Sequence, residues 1–233
     1  MRCTRNRGFA TIMLLTLCST PSLAFAQGQT DEPARKILEL TDAEQVQFIE
    51  ASLEEGLPES RADQMTMLVI NRSSITLPLI EEKLEEALKQ PAPPQTFVDT
   101  AAELIAYAGD EQALNSIVKL ISIDEARFTP LVGRALTHSA NWRNPFTLAY
   151  RGLQMGDETV ARCTTTWAES VLTSNRMQRA WAEAMLDRYG RVPGDSEWAT
   201  DPIVFRLNDR ASPELRQSVM RFATDAQTKR KRQ

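Results

Sequence analysis

The chain holds one histidine, His138, in the run Ala135-Leu136-Thr137-His138-Ser139-Ala140. An imidazole beside a serine hydroxyl suggests nucleophilic catalysis. Sequence neighbours lack triad geometry, however, in which a base reaches the hydroxyl across the fold and a third group orients it. The expectation for His138 is a helix-end side chain that bonds the last carbonyls. Structural zinc requires a Cys/His cluster, which is absent from the sequence, so no metal or cofactor is called for. Cys163 falls between Val160 and Trp167 on an apolar stripe. That place predicts a buried, inert thiol behaving as a small hydrophobe rather than an activated nucleophile.

Glu81, Glu82, Glu85 and Glu86 surround Leu84 and resemble the carboxylate pairs of glycoside cleavage. That chemistry also needs a cleft and an acid of raised pKa, which no residue pattern marks. With Lys89 four residues after Glu85, the acids read as one solvated helix face. They are the candidate partner-binding strip. Trp142 and Trp198 lie in connectors beside Arg143 and Glu197 and are candidates for exposed partner contacts. Trp167 and Trp181 fall on core stripes.

Helices must carry these side chains. Glycine is scarce, at 9 residues, and no long β-branched alternation occurs. Thr41-Asp42-Ala43-Glu44 is a capping-box pattern that opens a helix with the stripe Ala43, Val46, Ile49 and Leu53. A second helix begins near Ser60 and breaks at Ser73-Ser74. Its partner, 75–89, takes Pro78 in its first turn, where the missing N–H costs little. Pro91 to Pro94 make a stiff connector. Later helices follow Asp124, Asn144-Pro145, Ser174 and Ser212-Pro213, and 191–203 is the longest irregular stretch.

The start of the chain predicts export. Arg2, Arg5 and Arg7 precede an apolar run from Phe9 to Cys18, and Ala24-Phe25-Ala26 supplies a small-x-small cleavage pattern. The run is shorter than the roughly 20 apolar residues of a membrane span. Cleavage after Ala26 would remove Cys3 and Cys18 and leave Cys163 unpaired, so a disulfide framework is excluded. The formal net charge of −4 becomes more acidic once the three arginines are lost. An acidic balance argues against a nucleic-acid binder, and no membrane span is expected after residue 26.

Gly109-Asp110-Glu111 and Gly156-Asp157-Glu158 repeat a tight turn between two helices, about 47 residues apart. The run Ala101-Ala102-Glu103-Leu104-Ile105-Ala106-Tyr107-Ala108-Gly109-Asp110-Glu111-Gln112-Ala113-Leu114 resembles a HEAT or armadillo-type repeat. Segments 60–89 and 145–173 look like weaker copies. Ser73-Ser74 replaces Gly-Asp in the first of these, and residues 122–143 add helix between copies. The resemblance implies an all-α fold, a short α-solenoid of stacked antiparallel helix pairs, and a curved scaffold rather than a chemistry. The expected layout is a signal peptide over 1–26, a loose segment over 27–40, a helical-repeat domain over 41–227 and a basic tail over 228–233. The expected function is an exported, non-catalytic scaffold that binds another protein, a basic partner being favoured by the acidic strip. The alternatives are an envelope enzyme, an enzyme's accessory subunit, or a binder of cell-wall polymer.

Overall fold

The computed structural model describes residues 36–232, so the expected signal peptide lies outside the described residues. Among those residues every regular element is helical, and the chain is all-α. In order they are α1 (Asp42–Glu54), α2 (Ala62–Asn71), α3 (Ser73–Leu88), α4 (Gln95–Ala108) and α5 (Glu111–Ile123). A single turn, α6 (Glu125–Phe128), precedes α7 (Pro130–Trp142), α8 (Pro145–Gln154), α9 (Glu158–Val171) and α10 (Asn175–Tyr189). Two short helices, α11 (Asp195–Thr200) and α12 (Pro202–Leu207), lead to α13 (Pro213–Arg230). None of these is long and apolar enough to cross a membrane.

The helix starts follow local chemistry. The capping box forms as expected, with Thr41 Oγ1 accepting from Glu44 N–H and Glu44 Oε2 accepting from Thr41 N–H at 2.8 Å. Asp110, Asp124, Asp157 and Ser212 each accept from the backbone N–H three residues on. Each cap satisfies a donor that the helix itself leaves unpaired.

Four sequence expectations need correcting. Helix α3 begins at Ser73 rather than after Ser74, so Pro78 lies inside the helix and not in its first turn. The first stripe is rotated: Ala43 is exposed, whereas Gln45 and Ser52 are buried beside Ile49 and Leu53. Both polar side chains place a donor on backbone carbonyls, and Gln45 Nε2 donates to the Ile37 and Leu40 carbonyls at 3.2 and 3.1 Å while its Oε1 accepts no bond among the described residues. Ser52 Oγ donates to Phe48 O at 2.7 Å. Gln45 thereby ties part of the segment 27–40, expected to be loose, onto α1, with Ile37 buried in a single 3-10 turn. The stretch 191–203, expected to be irregular, instead contains α11 and the start of α12, each opened by a carboxylate bonded to backbone N–H groups.

Packing follows a simple rule. Each long helix from α2 to α8 touches the next long helix and also the one after it. Thus α2, α4, α7 and α9 are neighbours in one row, and α3, α5, α8 and α10 in another. Ion pairs run along both rows from a later basic residue to an earlier acid, Lys119–Glu81, Arg134–Glu103 and Arg151–Glu111, and Arg206 of α12 pairs with Glu158 of α9. Exposed pairs of this kind contribute only about 0–1 kcal/mol each. The core is carried by apolar burial, including Leu104 and Ile117.

Candidate functional site

Helices α4, α7 and α9 bring the chemistry-bearing side chains onto one row. Glu103 and Tyr107 stand one turn apart on α4, and Arg134 and His138 one turn apart on α7, so the two pairs meet face to face. Arg134 bonds Glu103, and His138 Nε2 lies 3.5 Å from Glu103 Oε1. The His138 ring stacks on Tyr107 with centroids 3.9 Å apart. His138 is therefore held by α4, and the expectation that it bonds the last carbonyls of its own helix is replaced.

Burial pushes the Glu103 carboxyl up, but hydrogen bonds and charge from His138 and Arg134 outweigh it and hold the group below its usual range. Burial and the Glu103 charge raise the Tyr107 hydroxyl. The sign for stability follows from linkage. A depressed carboxyl stabilises the fold above its unfolded pKa, near 4.5, and that stabilisation is lost as pH falls through the folded value. Glu103→Gln is therefore expected to lower stability at pH 7 and to lower it less at pH 4, below the unfolded pKa. Urea melts at the two pH values check this, and an equal loss at both would show that packing, not charge, is at stake.

Beside this cluster runs a groove of about 560 Å³ between α7 and α9. Trp167 lies at its base, buried, with Nε1 donating to Thr137 Oγ1 at 3.3 Å. Thr129, Thr166 and Ser170 add hydroxyls to the walls, and Arg134, His138 and Arg162 add nitrogen donors. No acid lines it, because Glu103 and Glu125 pair with the two arginines from outside the lining. Trp167 also heads an aromatic chain. Its ring lies 5.3 Å from Phe146, Phe146 lies 5.8 Å from Trp181, and Trp181 lies 5.3 Å from Trp198.

Cys163 is half-buried in the wall of this groove, not sealed in the core as its stripe predicts. Helix α9 turns Val160 and Trp167 fully inward, and position 163 falls at the edge of that face. Burial pushes the thiol up, so a smaller share of it is thiolate at neutral pH than for an ordinary cysteine. Among the described residues no group of three or more His, Cys, Asp or Glu could hold a metal ion.

The residues singled out by sequence are scattered by the fold. Glu81 turns toward α5, where it accepts from Ser116 Oγ and from Lys119 Nζ at 2.8 Å, so it is not part of an outward strip. Glu82 and Glu85 are exposed, and Glu86 is exposed but paired with Lys83 at 3.0 Å. Trp142 is 55% exposed at the end of α7, as expected. Trp198 is a correction: it is 6% exposed, because α11 docks it against Trp181. The α7–α9 groove has no counterpart among the sequence expectations, although Arg134, His138 and Thr137 stand at helical spacing on one face. No protein-family model, curated protein or solved structure matches this chain.

Proposed function

We propose that this chain is an exported, non-catalytic helical-repeat scaffold, a short α-solenoid of the HEAT/armadillo kind, that binds another protein in the groove between α7 and α9. The groove carries the reading: an aromatic base, hydroxyl walls and cationic edges suit an extended segment of a partner. The solenoid part is supported by the two rows of neighbouring helices, because stacked pairs bury stripes that a single pair leaves in water. Glu82, Glu85 and Glu86 form a second surface that favours a basic partner through faster encounter, screened beyond about 8–10 Å at physiological salt.

Cys163 supplies the test. A bulky maleimide on this thiol is expected to cut capture of the partner from the native host's exported fraction by about tenfold or more, the scale of losing one central contact. Reversal of Glu82, Glu85 and Glu86 to Lys is expected to cut it only a few-fold, and only at low salt. Capture that survives the maleimide would remove the groove from the reading. N-terminal sequencing of the exported product is expected to begin at Gln27, and a cytoplasmic product retaining Met1 would count against export. An envelope enzyme or accessory subunit is the second reading, favoured by one observation: His138 and Cys163 line the same groove. A Cys163→Ala variant that retains full function in the host would count against a nucleophilic role.

A further inference from the structure

We propose that the cleft between the end of α7 and the start of α10 is a binding site for a phosphate or sulfate group. Its volume is about 610 Å³, and Arg143, Arg176 and Arg179 all line it against a single acid, Glu183. The chain as a whole is acidic, so three arginines lining one cleft run against its overall balance.

Each arginine is anchored by a contact that leaves donors uncommitted. Arg143 Nη1 donates to Ala108 O at 2.7 Å, with Nη2 at 3.9 Å from Asp110. Arg176 Nη2 donates to Ala140 O at 2.9 Å. Arg179 Cζ lies over the Phe222 ring, 4.9 Å from its centroid, a contact that uses the guanidinium's charge and no N–H hydrogen bond. A guanidinium has five N–H donors, so each retains several for a ligand. Anchoring on folding also reduces the ordering cost of binding.

The first turn of α10 opens into the same cleft. Asn175, Arg176 and Met177 line it, and the preceding Ser174 makes no side-chain bond to their backbone N–H groups. These donors have no partner within the helix and carry its positive end. Side-chain and backbone donors are thus supplied by the end of α7 and by the first two turns of α10. A tetrahedral oxyanion accepts from several directions, whereas a carboxylate accepts in one plane. The volume lies within the roughly 300–1,000 Å³ of small-molecule sites. It therefore has room for the molecule bearing the group, and this inference does not depend on the α7–α9 groove.

The test titrates the full chain with inorganic phosphate, inorganic sulfate and glucose 6-phosphate at low salt, read by calorimetry. Saturable binding of at least one probe is expected. Tighter binding of the sugar phosphate assigns the site to an ester, and equal binding assigns it to the free ion. Arg176→Gln with Arg179→Gln should weaken binding at least tenfold, with Arg179→Gln alone as the milder variant should the pair fail to fold. Glu183→Gln should tighten it roughly threefold, an effect that loss of structure does not imitate. Lys229→Gln with Lys231→Gln, in the basic tail, should leave it unchanged. Absence of saturable binding, or binding indifferent to Arg179 and Glu183 changes, would overturn the proposal.

Discussion

Gly109→Ala should destabilise the chain by roughly 2–5 kcal/mol, because two costs fall on one methyl group. Gly109 ends α4 in the left-handed region, at φ 55°, where a side chain is strained. A Cβ there would also stand 2.7 Å from Ser139 N and 2.9 Å from its Cα, with Ala135 O at 3.2 Å. These are backbone atoms of α7, and no rotamer change removes them. The end of α4 would have to lift from α7, stretching the bond from Arg143 to Ala108 O. Gly156 provides the comparison. It has φ 75° in the equivalent turn but nothing within 4 Å of its Cβ direction. Gly156→Ala should therefore cost only the conformational strain, about 1–2 kcal/mol. Urea midpoints of the two variants decide the matter. Equal losses would show that α4 and α7 do not approach this closely in solution. On the proposed function, Gly109→Ala should also weaken partner capture more than Gly156→Ala, since the same approach sets Glu103 and Tyr107 against Arg134 and His138.

Asp201→Ala should cost about 3–5 kcal/mol, the sum of several orphaned buried donors. Asp201 is fully buried at the start of α12. Its Oδ2 accepts from the Tyr150 and Tyr189 hydroxyls at 2.8 and 3.0 Å. Its Oδ1 accepts from the Ile203 and Val204 N–H groups at 2.9 and 3.2 Å. Trp181 Nε1 donates to Tyr150 Oη at 3.0 Å, which extends the network into the aromatic chain. Burial pushes the Asp201 carboxyl up, and the four donors pull it part of the way back. The network joins α8, α10 and α12, so its loss should free the segment carrying Trp198. For a chain of this size the loss corresponds to a Tm lowered by about 6–20 °C. Asp201→Asn keeps one acceptor for the α12 N–H groups and should lose less. A Tm within about 2 °C of the parent for Asp201→Ala would mean that water satisfies the donors.

Local chemistry is legible in the residues themselves. The all-α class follows from scarce glycine and helical stripes. The helix starts at Thr41, Asp110, Asp124, Asp157 and Ser212 follow from short side chains that satisfy N–H groups within three residues. Glycines 109 and 156 stand at turns, as their Gly-Asp pairs predict. Each of these features depends on interactions within one turn of chain, which residue type and spacing encode directly. Pairing across the fold is not encoded in that way. Periodicity says that Glu81 is on a helix surface, but only the placing of α5 turns it from an outward acid into the partner of Ser116 and Lys119. Trp198 reads as a connector residue because α11 is too short to show a stripe, and its burial depends on Trp181 being there to receive it. The α7–α9 groove and the arginine cleft arise from helices distant in sequence, with side chains at ordinary surface spacing. Residue order alone sets the longer helices and their capped starts, since hydrogen bonds within a turn need no other part of the chain. Which face each helix turns inward, and which side chains meet, depends on the packing of one helix against the next but one.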